Sequence, residues 1–142
     1  MAHERRILVV DDDDAIRALV RTVLRRRGLQ VDDARNGVEA MTRIGACRYV
    51  LIVLDLMMPR MSGYEVLDHL GRLPMDSRPY VLVLTAGLEP RTFDTSFVIG
   101  TMHKPFDVGL LIDTVNGVLG SVPEILQGGD CPPDPTSFVK PN

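Results

Sequence analysis

The sequence predicts an α/β domain whose parallel sheet is covered by helices on both faces. Three observations carry this expectation. Short apolar, β-branched runs recur along the chain, helical patterns separate them, and residues 49–54 and 80–84 are apolar at every position. Alternation of strands and helices implies a parallel sheet, and a strand without polar positions is one buried on both faces. At 142 residues the chain suits one domain with one core. That domain is expected over residues 1–121, with a Pro/Gly-rich tail or linker over 122–142.

The first strand is Ile7-Leu8-Val9-Val10, and it runs into Asp11-Asp12-Asp13-Asp14. Ile16, Leu19, Val20, Val23 and Leu24 then recur at helical spacing. Arg25-Arg26-Arg27 and Gly28 close this helix, because cations and glycine suit a helix C-terminus. Residues 29–34 read as a second strand. Asn36-Gly37-Val38-Glu39 resembles a capping box, opening a helix expected to bury Val38, Met41 and Ile44.

The third strand, residues 49–54, ends at Asp55. Ser62-Gly63-Tyr64-Glu65 is a second capping-box match, with Val66, Leu67 and Leu70 inward. The fourth strand, residues 80–84, is followed by Thr85. A weaker fifth, residues 98–103, is followed by Lys104. Asp107 caps the last helix, whose stripe is Val108, Leu111, Ile112, Val115, Val118 and Leu119. Pro90 opens at most a brief helix, since only Phe93 and Phe97 stand at helical spacing there. From Val122 on, Pro123, Pro132, Pro133, Pro135, Pro141 and Gly128-Gly129 describe a disordered tail.

Composition narrows the function. A net charge of −3 leaves no broad basic field, so direct nucleic-acid binding is not expected. No apolar run is long enough for a bilayer, and no apolar segment follows the basic start as in a signal peptide. Cys47 and Cys131 are far apart and fit a reduced, cytoplasmic setting better than a disulfide framework.

In parallel sheets of this kind the ligand site lies beyond the carboxyl ends of the strands. Four strand ends meet that demand: Asp11 and Asp12, Asp55, Thr85 and Lys104 converge at one edge. Asp13 and Asp14 instead suit the N-terminus of the first helix. Clustered carboxylates raise one another's pKa unless a cation neutralises them, and Mg²⁺ (or Mn²⁺) is bound through carboxylates, water and phosphate oxygens. A carboxylate can attack phosphorus to form an aspartyl phosphate, which requires positive charge around the transferring oxygens. The divalent ion and Lys104 supply that charge, and Thr85 a neutral donor.

The chain resembles the receiver domain of bacterial response regulators over residues 6–119. The likeness rests on Ile7-Leu8-Val9-Val10-Asp11-Asp12, on the run from Val53 through Asp55 and Pro59 to Gly63, on Leu84-Thr85-Ala86 and on Lys104-Pro105-Phe106. It implies a flavodoxin-like (βα)5 fold with strand order 2-1-3-4-5 and a short or irregular fourth helix. Asp55 would be the phosphoacceptor, with Thr85 and Lys104 on the phosphoryl group. Asp11, Asp12, Asp55 and the Met57 carbonyl would hold Mg²⁺, Asp11 mainly through water. The Lys104-Pro105 bond is similar to one usually cis in this family.

The implied partner is a sensor histidine kinase docking near Asp14, Arg17, Val20 and Arg21, with a downstream protein as a further possibility. The chain would be a monomer or weak homodimer, off the membrane, catalysing only its own phosphorylation and dephosphorylation. No output domain follows, which suits either a stand-alone regulator or a receiver cut from a longer protein. The segment from Ala86 to His103 departs from the family: Phe97-Val98 replaces a small Gly-Ala pair, and Thr101 stands where an aromatic is usual. Phosphorylation is therefore expected to survive while the usual output surface is altered. Two rivals are weighed. A haloacid-dehalogenase-like phosphohydrolase needs Asp-x-Asp-x-Thr, but Asp11-x-Asp13 is followed by Ala15. A pseudo-receiver that never accepts phosphate fits poorly with an intact residue set.

Overall fold

The computed structural model of the chain describes residues 6–87 and 96–121. The elements are β1 (Arg6–Val10), α1 (Asp14–Arg26), β2 (Gln30–Ala34), α2 (Gly37–Ala46), β3 (Leu51–Asp55), α3 (Gly63–Gly71), a 3₁₀ turn (Met75–Ser77), β4 (Tyr80–Thr85), β5 (Val98–His103) and α4 (Val108–Ser121). The expected short helix near Pro90, the tail from Val122 and Cys131 lie outside the described residues. Cys47, at the end of α2, is disulfide-bonded, contrary to the reduced state expected.

The strands form one sheet in the order β2-β1-β3-β4-β5, every pairing parallel, as the resemblance implies. Alternation along the central strands splits the core in two. Leu8, Val10, Ile52, Leu54, Val81 and Val83 face α2 and α3, meeting Ala40, Tyr64, Leu67 and Leu70. Ile7, Val9, Leu51, Val53, Leu82 and Leu84 face α1 and α4, meeting Val20, Leu24, Leu111 and Val115. This is why β3 and β4 carry no polar position before their last residues, Asp55 and Thr85, and β1 none after Arg6.

Helix ends follow the local chemistry. The Asp13 carboxylate caps α1 by accepting from the N–H groups of Ala15 (2.9 Å) and Ile16 (3.1 Å). At the other end, Gly28 has φ +83°. Its N–H donates to the Arg25 carbonyl, and that of Leu29 to the Leu24 carbonyl, which is a complete Schellman motif. The capping box at α3 is present in both halves, Ser62 accepting from Glu65 and Glu65 from Ser62. We expect Ser62→Ala to lower stability by about 1 kcal/mol in urea unfolding; a change below measurement error would discount the box.

The box expected at α2 is only half formed. Asn36 accepts from the Glu39 N–H at 2.9 Å, but Glu39 reaches past it to the N–H and guanidinium of Arg35. The charge-assisted bond to Arg35 draws the carboxylate one residue back. Val38, expected inside, is 47% exposed. The helix instead lays Gly37 on the backbone of Met61, so positions 37, 40, 41 and 44 share the inner face and 38 is rotated off it. Leu19 lies outward for the same geometric reason, while Val20 and Leu24 fill the core.

Candidate functional site

β1 lies between β2 and β3, so the connections leaving β1 and β3 run to opposite faces of the sheet, and their ends mark the switch point at which such sheets place their sites. Register brings the expected residues level there. Val10 pairs with Leu54, which sets Asp11 beside Asp55. Asp55 pairs with Leu84, one residue before Thr85, and Thr85 pairs with His103, one residue before Lys104.

Each side chain is held locally. Asp11 is fully buried, and its Oδ1 accepts from the Asp13 N–H at 2.9 Å. Asp55 is also buried, and its Oδ1 accepts from the Met57 N–H at 3.2 Å. Both are turns in which a carboxylate bonds the backbone two residues on. The Leu56 N–H donates to the Leu84 carbonyl, and the Gly63 N–H to the Leu56 carbonyl, so the loop after β3 returns tightly to the strand end. Thr85 is buried, with its hydroxyl accepting from the Gly87 N–H at 3.1 Å. The Lys104–Pro105 bond is cis.

The Lys104 ammonium lies 2.9 Å from Asp11 Oδ2 and 3.3 Å from Asp55 Oδ2. Oxygens of Asp11, Asp12 and Asp55 come within 4.8 Å of one another, Asp12 being the exposed member. Burial and the charge of Asp11 push the Asp55 carboxyl up to about 7, against the pull of Lys104 and the Met57 N–H. Burial works to lower the Lys104 pKa, but Asp11 and Asp55 outweigh it and hold the ammonium charged.

One ammonium does not neutralise three carboxylates, and buried Asp11 Oδ2 takes no hydrogen bond beyond facing that ammonium. A hard divalent cation with oxygen ligands fits this donor set. The linkage has a definite sign. Asp55 titrates above its ordinary 3.8 when folded. Its contribution to stability is therefore complete below that ordinary value and is lost as pH rises through about 7. We expect the protein in chelator to lose about 2 kcal/mol of this contribution between acidic and mildly alkaline pH. Mg²⁺ should reverse the loss at the alkaline end and bind more weakly as pH falls. Urea midpoints that ignore both pH and Mg²⁺ would count against a shared carboxylate cage.

The expected docking residues are placed differently from one another. Asp14 is exposed on the first turn of α1. Val20 is fully buried and offers nothing to a partner; Leu19, 46% exposed, is the apolar residue on the outer face of the helix. Arg17 and Arg21 turn toward β2, both donating to Asp33 Oδ2 at 3.0 and 3.1 Å. Arg17 and Asp33 were not singled out as a pair by the sequence, since they stand 16 positions apart and only the crossover from α1 to β2 joins them. A cavity of about 610 Å³ beside them, between α1, β2 and α2, is lined by arginines and acids. Several of these already pair with each other, as Arg17 and Arg21 do with Asp33 and Arg35 does with Glu39.

On the opposite side of the sheet, Thr101 is exposed on β5. Phe97 is buried against the α2–α3 core, with the Arg78 guanidinium 5.5 Å from its ring centre.

The strand order and the carboxylate–lysine cluster together define a flavodoxin-like receiver fold. Residues 7–116 match the response regulator receiver domain, and the chain belongs to that family. Among curated relatives, response regulator MprA of Mycobacterium tuberculosis is 49% identical over 121 residues, covering 80% of this chain and 50% of that protein. MprA of Mycobacterium avium is 49% identical over 81 residues, 57% of this chain and 35% of that protein. The chain thus spans half or less of the length of these relatives. Among solved structures, Thermotoga maritima TrrA in complex with Mg²⁺-BeF has a TM-score of 0.70 at 32% identity, covering 80% of this chain and 98% of that one. The Francisella response regulator 1452 receiver domain has a TM-score of 0.72 at 28% identity, covering 82% and 98%. Family membership sets the phosphohydrolase reading aside. Among the described residues no helix is long and apolar enough to cross a membrane.

Proposed function

We propose that the chain accepts a phosphoryl group on Asp55 from the phosphohistidine of a sensor histidine kinase. The observation that carries this is the buried Asp11–Lys104–Asp55 bridge beyond β1 and β3. Asp11, Asp12, Asp55 and the Met57 carbonyl would hold Mg²⁺ (or Mn²⁺), which supplies positive charge to the phosphoryl oxygens. An Asp55 oxygen forms the new P–O bond while the donor's P–N bond breaks, the electron pair leaving with the imidazole. Lys104 turns its ammonium from the carboxylates to a phosphoryl oxygen, and the Thr85 hydroxyl donates to another. Beyond this reaction and its reversal by water, the chain would have no catalytic activity.

The kinase would dock on the outer face of α1, around Asp14 and Leu19, in the cytoplasm. The receiver would comprise residues 1–121 and the tail or linker 122–142, acting as a monomer or weak homodimer on a downstream protein. Thr101, exposed and lacking an aromatic's bulk, supports an output surface unlike the family's usual one. The direct test is incubation with acetyl phosphate and Mg²⁺ followed by intact mass. A single phosphoryl adduct is expected. Its absence from protein that binds beryllofluoride would restrict the chain to a binding module.

A further inference from the structure

We infer that Arg17 is a positioning residue for the metal site, fixing the Asp11–Asp12 peptide from outside the cluster; this rests on the Mg²⁺ reading above. Arg17 is 15% exposed and is the hub of three contacts. Its Nη1 donates to the Asp11 backbone carbonyl at 2.8 Å, its Nε to Asp33 Oδ2 at 3.0 Å, and its Nη2 to Asp14. The carbonyl of Asp11 and the N–H of Asp12 belong to one rigid peptide plane. Holding that carbonyl therefore sets the direction in which the chain enters Asp12.

This matters because the two carboxylates are supported unequally. Asp11 is buried and anchored by its own N–H to the Ala34 carbonyl and by Asp13 to its Oδ1. Asp12 is exposed, so its carboxylate reaches the cluster only as its backbone directs. Asp33, on the edge strand, pairs in register with Val9 of β1 and orients Arg17 through Nε. The planar guanidinium can serve three acceptors in fixed directions; an ammonium at the same place is a point charge on a flexible stem. Positioning thus runs from β2 through Asp33 and Arg17 to the loop that carries two of the three carboxylates. Outer groups of this kind commonly govern metal affinity without touching the metal.

The test is Mg²⁺ titration calorimetry of the full chain at mildly alkaline pH, with urea unfolding alongside. Arg17→Ala should weaken Mg²⁺ binding about tenfold. Arg17→Lys should recover part of the loss, and Asp33→Asn should fall between it and wild type. Val115→Ala, a core truncation on α4, should lower stability and leave Mg²⁺ affinity unchanged. If Arg17→Ala does not fold, Arg17→Lys and Asp33→Asn carry the test. Affinity within about twofold of wild type in every folded Arg17 and Asp33 variant would overturn the inference. So would an equal loss in Val115→Ala, because the effect would then be one of general stability. Failure of wild type itself to bind Mg²⁺ would remove the metal-site reading and this inference with it.

Discussion

Asp55→Asn should abolish phosphoryl acceptance and, at the same time, stabilise the metal-free protein. The two effects have one cause. Burial and the neighbouring Asp11 already hold the Asp55 carboxyl up to about 7, so above that pH its charge is maintained against the fold. An amide of the same shape removes that charge and leaves Lys104 to Asp11, 2.9 Å away. The gain should be about 2 kcal/mol at mildly alkaline pH in chelator, vanishing in acid where the carboxyl is protonated. Added Mg²⁺ should stabilise wild type but much less the variant, since one of three carboxylates is gone. In mass spectrometry after acetyl phosphate, wild type should carry one adduct and the variant none. An adduct that persists in Asp55→Asn would move the acceptor elsewhere; a variant no more stable than wild type would remove the electrostatic account.

Gly63→Ala should be among the most damaging single-methyl changes in the chain. A Cβ at Gly63 would fall on the Asp55 carbonyl oxygen and lie 2.7 Å from the Leu56 Cα. Both are backbone atoms at the end of the central strand, so no rotamer change relieves the overlap. Either α3 backs away from β3 or the strand end shifts, and the second path moves Asp55 itself. Overpacking against backbone should cost about 3 kcal/mol. Phosphoryl acceptance should drop by more than the folded fraction does. Gly117→Ala on α4 is the matched control. Its Cβ would meet nothing, and better helix propensity should make that variant neutral or slightly more stable. Urea midpoints of the two variants that coincide would refute the contact argument.

Much of the site was legible because strand ends announce themselves. An apolar run that stops at an acid, a hydroxyl or a lysine marks where a central strand emerges from its helical cover. Asp11, Asp55, Thr85 and Lys104 were all found that way, and the structure brings Asp11, Asp55 and Lys104 within ion-pair distance. Helix caps at Asp13, Ser62 and Asp107 were legible for a similar reason, since a cap is a contact over three residues. The misses are instructive in the same terms. Periodicity put Val38 and Leu19 on the inner stripes of their helices but did not say which neighbour would define the inside, and both are exposed. The buried Asp32, bonded to Arg6 at 3.1 Å and to the Tyr49 hydroxyl at 2.7 Å, joins three strands' worth of sequence and has no local signature.

By itself the sequence determined the order of elements, the membership of the carboxylate–lysine cluster and the edge of the sheet where it must lie. Those depend on interactions within a few residues and on the general rule that parallel strands expose their chemistry at their carboxyl ends. Only the tertiary structure decided how the cluster is balanced and held. The bridging ammonium, the carboxyl of Asp55 raised to about 7, the backbone contact at Gly63 and the Asp33–Arg17–Asp11 chain all join residues distant in sequence. Their energies depend on distance and burial, which a linear pattern does not contain.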